Sequence, residues 1–280
     1  MKVDLYINTS YDGAELITKK YSTSFSLATS LLPKKQRNAI YAIYGFVRVA
    51  DEIVDSFHDY DRAALLDKLN DDLHHAMEYG ISPNPVLTAF ADTVKTYKIE
   101  RKHIQAFMDS MKQDLFQSEY NDSEDLDNYI YGSANVVGLM CLKVFSNGNQ
   151  GEYKKLQEPA EKLGAAFQKI NFIRDLKDDM QGLGRIYFPE IVLNELDEES
   201  KKKIEQSTEK DFKAAYPGIR KLPGRSKLAV AIAYHYYHGL FKKIKRTSPE
   251  ELLSKRMRLS NFRKQLIIIK VWGLYNLNQI

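Results

Sequence analysis

Two Asp-x-x-x-Asp pairs, about 120 residues apart, constrain this chain more than any other feature: Asp51-Glu-Ile-Val-Asp55 and Asp175-Leu-Lys-Asp-Asp179. Each falls in a stretch of helical periodicity, and residues four apart lie on one helix face. In the first, Tyr44, Arg48, Asp51 and Asp55 follow spacings of 4, 3 and 4 and form one stripe. In the second, Gln168, Asn171, Asp175 and Asp179 follow spacings of 3, 4 and 4. Apolar residues surround both. Ile40-Tyr-Ala-Ile-Tyr-Gly-Phe-Val leads into the first, and Phe167, Ile170, Phe172, Ile173 and Leu176 flank the second. A buried helix tolerates such charges only where they are paired or bind an ion. If the two faces meet, four carboxylates surround one cavity. Such a cavity suits Mg²⁺, which takes one or two carboxylates and completes its shell with water and substrate phosphate.

Arg48 precedes Asp51 and Arg174 precedes Asp175. Arginine beside a cation site makes sense for a diphosphate ligand, because metal ions bridge some oxygens to the carboxylates and guanidinium binds the rest. The glycines of Gly182-Leu-Gly-Arg-Ile-Tyr-Phe-Pro189 permit a tight turn that would return Arg185 to the same place. The bland reading is an exposed face with an Arg48–Asp51 or Arg48–Glu52 pair, worth a few tenths of a kcal/mol. One such stripe fits that reading; two matching stripes favour the metal site.

Helical periodicity runs almost throughout, with Gly and Pro between the periodic runs. The pattern predicts helices near 14–31, 36–57, 61–79, 86–96, 101–118, 125–147, 153–181, 225–246 and 249–277. Breaks fall at Pro33, Gly80 to Pro85, Gly148 to Gly151, Gly182 to Gly184, Pro217-Gly218, Pro223-Gly224 and Pro249. No run alternates as a strand does. The expectation is one all-α domain over 1–280, with its core at about 15–270. Cys141, the single cysteine, lies in the run Val136-Val-Gly-Leu-Met-Cys-Leu and reads as a buried inert thiol. The start, Met1-Lys-Val-Asp-Leu-Tyr, has no signal-peptide h-region, and no apolar run reaches the ~18 residues of a membrane span. The expected location is the cytoplasm, with contact at the inner face of the membrane.

The net charge of +4 conceals an asymmetry: residues 218–280 hold 14 Lys/Arg and 2 Asp/Glu, a net of +12, against −8 for the remainder. The readings are solvated helix faces, an anionic membrane or an anionic substrate. No recognition motif accompanies the charge, so nucleic acid is not expected. Small residues in Tyr129-Ile-Tyr-Gly-Ser-Ala-Asn-Val-Val-Gly138 let either a helix or a ligand approach the backbone. Ser22-Thr-Ser-Phe-Ser26 reads as a helix N-cap region.

Taken in order, these segments resemble the squalene/phytoene synthase family of head-to-head prenyl transferases. The matching stretches are Tyr21–Phe25, Ala42–Asp55, Tyr131–Gly138, Gln168–Asp179 and Gly184–Pro189, with a looser match at Tyr237 to Ile244 and Arg256. The wording is closest in look to bacterial phytoene synthases. The resemblance implies an all-α isoprenoid-synthase bundle around a central cavity. It implies that Asp51, Asp55, Asp175 and Asp179 hold Mg²⁺, with Mn²⁺ as an alternative. Arg48, Arg174 and Arg185 contact diphosphate, and Tyr237 and Arg256 are further substrate-binding residues. Tyr44, Tyr131, Gln168 and Asn171 line the reaction centre, with Ser22 and Ser24 near the second diphosphate.

The implied reaction joins two prenyl diphosphates through a cyclopropylcarbinyl diphosphate to a linear polyene. The first expectation is two geranylgeranyl diphosphates giving phytoene, in carotenoid biosynthesis and without NADPH. The alternative is a C30 product from farnesyl diphosphate. Thr29 bears on this choice: a small residue facing the prenyl tunnel leaves room for a long tail. A terpene cyclase would share the fold, but its second metal motif usually mixes Asn, Ser or Thr with Glu. A non-catalytic helical or membrane-binding protein would leave the two acidic stripes exposed and apart. The basic last third leads to a further expectation, salt-sensitive binding to anionic vesicles. The sequence carries no expectation of oligomeric state.

Overall fold

The computed structural model describes residues 2–191 and 195–280. Among the described residues there is no strand, only an isolated bridge between Glu119 and Ile186. The helices are α1 (Lys2–Tyr21), α2 (Thr23–Ser30), α3 (Lys34–Ser56), α4 (Arg62–Tyr79), α5 (Pro85–Tyr97), α6 (Arg101–Gln113), α7 (Ser123–Ile130), α8 (Val136–Phe145), α9 (Gln150–Asp178), α10 (Glu198–Lys221), α11 (Gly224–Ile244), α12 (Pro249–Ser254) and α13 (Asn261–Asn276). Two π-helical turns, Tyr131–Asn135 and Asp179–Leu183, interrupt or extend them. Short polar side chains satisfy free amides where helices begin: Asp61 accepts from Ala64, Asp122 from Glu124 and Asp125, Asn149 from Gly151 and Glu152. Gly80 closes α4 with φ +75°, a conformation that costs glycine little.

Three departures from the sequence pattern have physical causes. The run expected at 14–31 is two helices, because Ser22 adopts extended backbone and its side chain caps α2 at the Phe25 amide. The first of them also starts earlier, at Lys2. Tertiary bonds hold that polar stretch: the Tyr6 hydroxyl donates to the Ser82 carbonyl (2.8 Å) and the Tyr11 hydroxyl to Asp92 (2.7 Å). Helix α10 was not expected, and Pro217-Gly218, read as a break, lies inside it. These residues mark a helix crossing instead. A Cβ on Gly218 would sit 2.3 Å from Cβ of Pro159, itself inside α9. Finally, 249–277 is split between α12 and α13. The intervening chain runs to α9, where the Met257 amide donates to the Arg174 carbonyl (3.1 Å).

Most core residues fall into two large hydrophobic clusters. One joins α3, α4, α5, α6 and α8; the other joins α9, α10, α11 and the segments around them. Helix α8 packs against both α3 and α9. The small residues of the 129–138 segment serve this packing. A Cβ on Gly132 would lie 2.7 Å from the Ala106 carbonyl oxygen, and one on Gly138 would lie 3.1 Å from that of Ala160. Cys141 is packed among the core residues of the first cluster, and burial pushes its thiol up to about 12.

Candidate active site

Each acidic stripe is the half-buried line on a helix that is otherwise largely interior. On α3, Tyr44, Arg48, Asp51 and Asp55 are half-buried, while Ile43, Phe46, Ala50, Ile53 and Val54 are buried. On α9 and the π-helical turn after it, Gln168, Asn171, Arg174, Asp175 and Asp179 are half-buried beside buried Ile170, Phe172, Ile173 and Leu176. The stripes face each other. Asp179 feels the charge of Asp55 across the gap, and the Arg185 guanidinium donates to Asp55 at 2.7 Å while its own amide donates to the Asp179 carbonyl at 3.0 Å. The Gly184 turn, with φ +64°, and an Ile186 amide bonded to the Ser118 carbonyl (2.8 Å) fix Arg185 there.

The sequence suggested four carboxylates gathered around one cavity. In the structure three of the four are paired with arginines. Arg48 pairs with Asp51 (3.0 Å) and Glu52, and Arg185 pairs with Asp55. Arg174 holds Asp175 through two bonds (2.9 and 2.5 Å), and Arg256 reaches the same carboxylate at 2.7 Å. Among the described residues no three His, Cys, Asp or Glu side chains converge on one metal-sized point. Asp179 forms no ion pair with any described residue. Burial first, and then the charges of Asp175 and Asp55, push its carboxyl up to about 8. Its shelter and the neighbouring Asp55 likewise push Asp51 up to about 6, against the pull of Arg48. Crowded carboxylates whose mutual repulsion favours protonation fit a divalent cation, which would relieve that repulsion. The donor set is all oxygen, as Mg²⁺ prefers.

Polar side chains deeper along the stripes form one chain of bonds. The Tyr237 hydroxyl donates to Asn171 Oδ1 (3.1 Å), Asn171 Nδ2 donates to Gln168 Oε1 (3.3 Å), and Gln168 Nε2 reaches Ser133 Oγ (3.5 Å). Tyr237 stacks on Phe167 with centroids 4.0 Å apart. The Tyr44 hydroxyl lies beside that of Ser22, burial raises its pKa, and its ring stacks on Phe25 at 4.9 Å. Ser24 is half-buried on α2, and Thr29 is buried on the same helix.

Tyr131 departs from its expected place. It is 39% exposed and lies near Lys102 and Tyr153. Tyr129, two residues earlier and therefore about 200° around the helix, is the tyrosine that points inward. It is 3% exposed and donates to buried Asp114 (2.6 Å), whose backbone carbonyl accepts from Arg185 (2.8 Å). Tyr187 joins this group, stacked on Phe172 at 3.9 Å and in reach of Arg185 (3.4 Å). Burial pushes Asp114 up to about 7. Tyr129 and Tyr187 lie within segments the sequence marked, and helical phase separates Tyr129 from Tyr131. Asp114 is a solitary acid with no sequence signal. A cavity of about 270 Å³ lies between α4 and α6, lined by Leu73, Met77, Ile104 and Met108 among others, and contains no stripe residue.

This architecture is the all-α isoprenoid-synthase fold. A crystal structure of a dehydrosqualene synthase with bound ligand superposes with a TM-score of 0.84 over 96% of this chain and 98% of that one, at 24% identity. A squalene synthase from Alicyclobacillus acidocaldarius superposes with a TM-score of 0.75 over 86% and 95%, at 20% identity. The squalene/phytoene synthase family model matches residues 18–263, and the chain belongs to that family. Among curated relatives, a 4,4'-diapophytoene synthase from Staphylococcus haemolyticus is 31% identical over 193 residues, 68% of this chain and 65% of its own length. A 15-cis-phytoene synthase from Synechocystis is 31% identical over 194 residues, 65% of this chain and 56% of its own. The chain thus spans less than two thirds of the length of either relative.

Proposed function

We propose that the protein is a head-to-head prenyl transferase that condenses two prenyl diphosphates to a linear polyene through a cyclopropylcarbinyl diphosphate. The observation that carries this reading is the approach of two Asp-x-x-x-Asp stripes, from α3 and α9, each with its own arginines, in a chain of this family. Asp51, Asp55, Asp175 and Asp179 would hold Mg²⁺ or Mn²⁺. When bound, the metal neutralises charge on the departing diphosphate. Arg48, Arg174, Arg185 and Arg256 have guanidinium groups at the same place to take the remaining diphosphate oxygens, bidentately where geometry allows. Phe25, Tyr44, Phe167 and Tyr237 present an aromatic wall that excludes water from a carbocation. The Gln168–Asn171–Tyr237 bonds hold that wall in register.

The first assignment of substrate is geranylgeranyl diphosphate, giving phytoene without NADPH. The second is farnesyl diphosphate, favoured by likeness to the 4,4'-diapophytoene synthase. Purified protein with Mg²⁺ and each diphosphate, followed by chromatography and mass spectrometry, tests both. A C40 or C30 hydrocarbon is expected, abolished by chelator and lowered about 10²-fold or more by Asp51→Asn or Asp175→Asn. Undiminished turnover in chelator would refute the proposal. Thr29→Phe should suppress the C40 product and spare the C30 product, because a packed interior absorbs extra volume only at about 1–3 kcal/mol. An unchanged C40-to-C30 ratio in a folded variant would show that Thr29 does not set the chain length.

A further inference from the structure

Helix α13 is apolar on two sides, and only one side is packed. Val271 is buried, and Ile267, Ile268, Leu274 and Tyr275 lie against the core cluster shared with α11. On the other side Phe262, Leu266, Ile269 and Trp272 are 68, 49, 66 and 57% exposed. At about 100° per residue, Phe262 lies opposite Val271, with Ile269 and Leu266 beside it. Soluble helices carry polar residues there. Residues 252–280 contain Lys255, Arg256, Arg258, Arg263, Lys264 and Lys270 and no Asp or Glu. Of these, Arg258, Arg263 and Lys270 are exposed and form no ion pair with any described residue; Lys264 rests over the Tyr236 ring, 5.5 Å from its centroid. Arg263 and Lys270 fall together on one edge of the apolar face and Trp272 on the other.

We infer that the outer face of α13 docks on an anionic lipid bilayer, lying in the interface with Phe262, Leu266, Ile269 and Trp272 in the acyl boundary. The form is that of an interfacial amphipathic helix with cations at its margin. A second copy of the chain does not suit this face. A two-fold contact sets the same patch against itself, and cations with no facing carboxylate would repel. Among the described residues no helix is long and apolar enough to cross a membrane, so contact is by lying on the surface. The inference does not rest on the prenyl-transfer reading, since vesicle binding requires no substrate.

Trp272 is the only tryptophan in the chain, so its fluorescence reports on this face alone. The intact protein is titrated with phosphatidylcholine vesicles with and without phosphatidylglycerol, at low and high salt. With anionic vesicles at low salt, Trp272 emission should shift to the blue and be quenched by lipids brominated in the acyl chain. Arg263→Gln and Lys270→Gln should each lower partitioning about fivefold. Phe262→Ser with Ile269→Ser should lower it about tenfold or more. Vesicle binding that leaves Trp272 emission unchanged would place the contact elsewhere and overturn the inference. So would a blue shift that follows protein concentration without lipid, which would identify a second copy as the occupant.

Discussion

Tyr129 and Tyr131 differ by two positions and by nearly everything else. The Tyr129 hydroxyl satisfies one oxygen of buried Asp114, whose other carboxylate oxygen has no partner among the described residues. Tyr129→Phe should therefore lower the stability measured by urea unfolding by about 1–3 kcal/mol, while Tyr131→Phe should change it by less than about 0.5 kcal/mol. Equal effects would mean that the two rings do not face opposite ways. His103 sets a second expectation at this scale. It is buried on α6, neither ring nitrogen has a partner among the described residues, and burial holds its pKa down to about 4. The unfolded chain takes up that proton near 6.5 and the folded one only near 4. The contribution is thus fully present above about 6.5 and is lost as pH falls toward 4, at up to about 1.4 kcal/mol per unit. His235 is held down to about 4 in the same way. Relative to the wild type, His103→Leu should therefore gain stability to urea as pH falls from 6 to 4.5, by up to about 1.4 kcal/mol per unit; a difference that does not change with pH would show that His103 is already charged in the folded state.

At the scale of helices, the crossing of α9 and α10 depends on an absent side chain. Gly218→Ala would drive a Cβ into Pro159, and the melting temperature should fall by the equivalent of about 1–3 kcal/mol. Gly13, inside α1 with nothing within 4 Å of an added Cβ, supplies the contrast: Gly13→Ala should stabilise by roughly 0.5–1 kcal/mol. The same crossing explains what the sequence could not convey. Pro and Gly end helices as a rule, so Pro217-Gly218 read as a boundary and α10 went unseen. Only the partner helix reveals why they are there, through Pro159, 59 residues before Gly218. The polar start of α1 was hidden for a similar reason, since its stability comes from bonds to α5 and the residues just before it. The acidic stripes were legible because i and i+4 geometry is local. Asp114 was not, because its role exists only after α6 meets α7 and the Arg185 turn.

For the whole molecule, the stripes lie where two hydrophobic clusters meet, so a ligand there ties one half of the fold to the other. Mg²⁺ with inorganic diphosphate should raise the melting temperature more than either alone, by RT ln(1 + [L]/Kd), and Asp179→Asn should remove most of the gain. No rise in the wild-type protein would show that the stripes hold no cation–diphosphate pair. The pairing of Asp51, Asp55 and Asp175 with arginines has one more consequence. Each acid and its guanidinium now serve as each other's counterions. A diphosphate that draws the guanidinium groups away frees carboxylates for a cation, and a cation that takes the carboxylates frees guanidinium for a diphosphate. Each ligand must therefore tighten the binding of the other by the same factor, and either one alone must compete with these internal ion pairs.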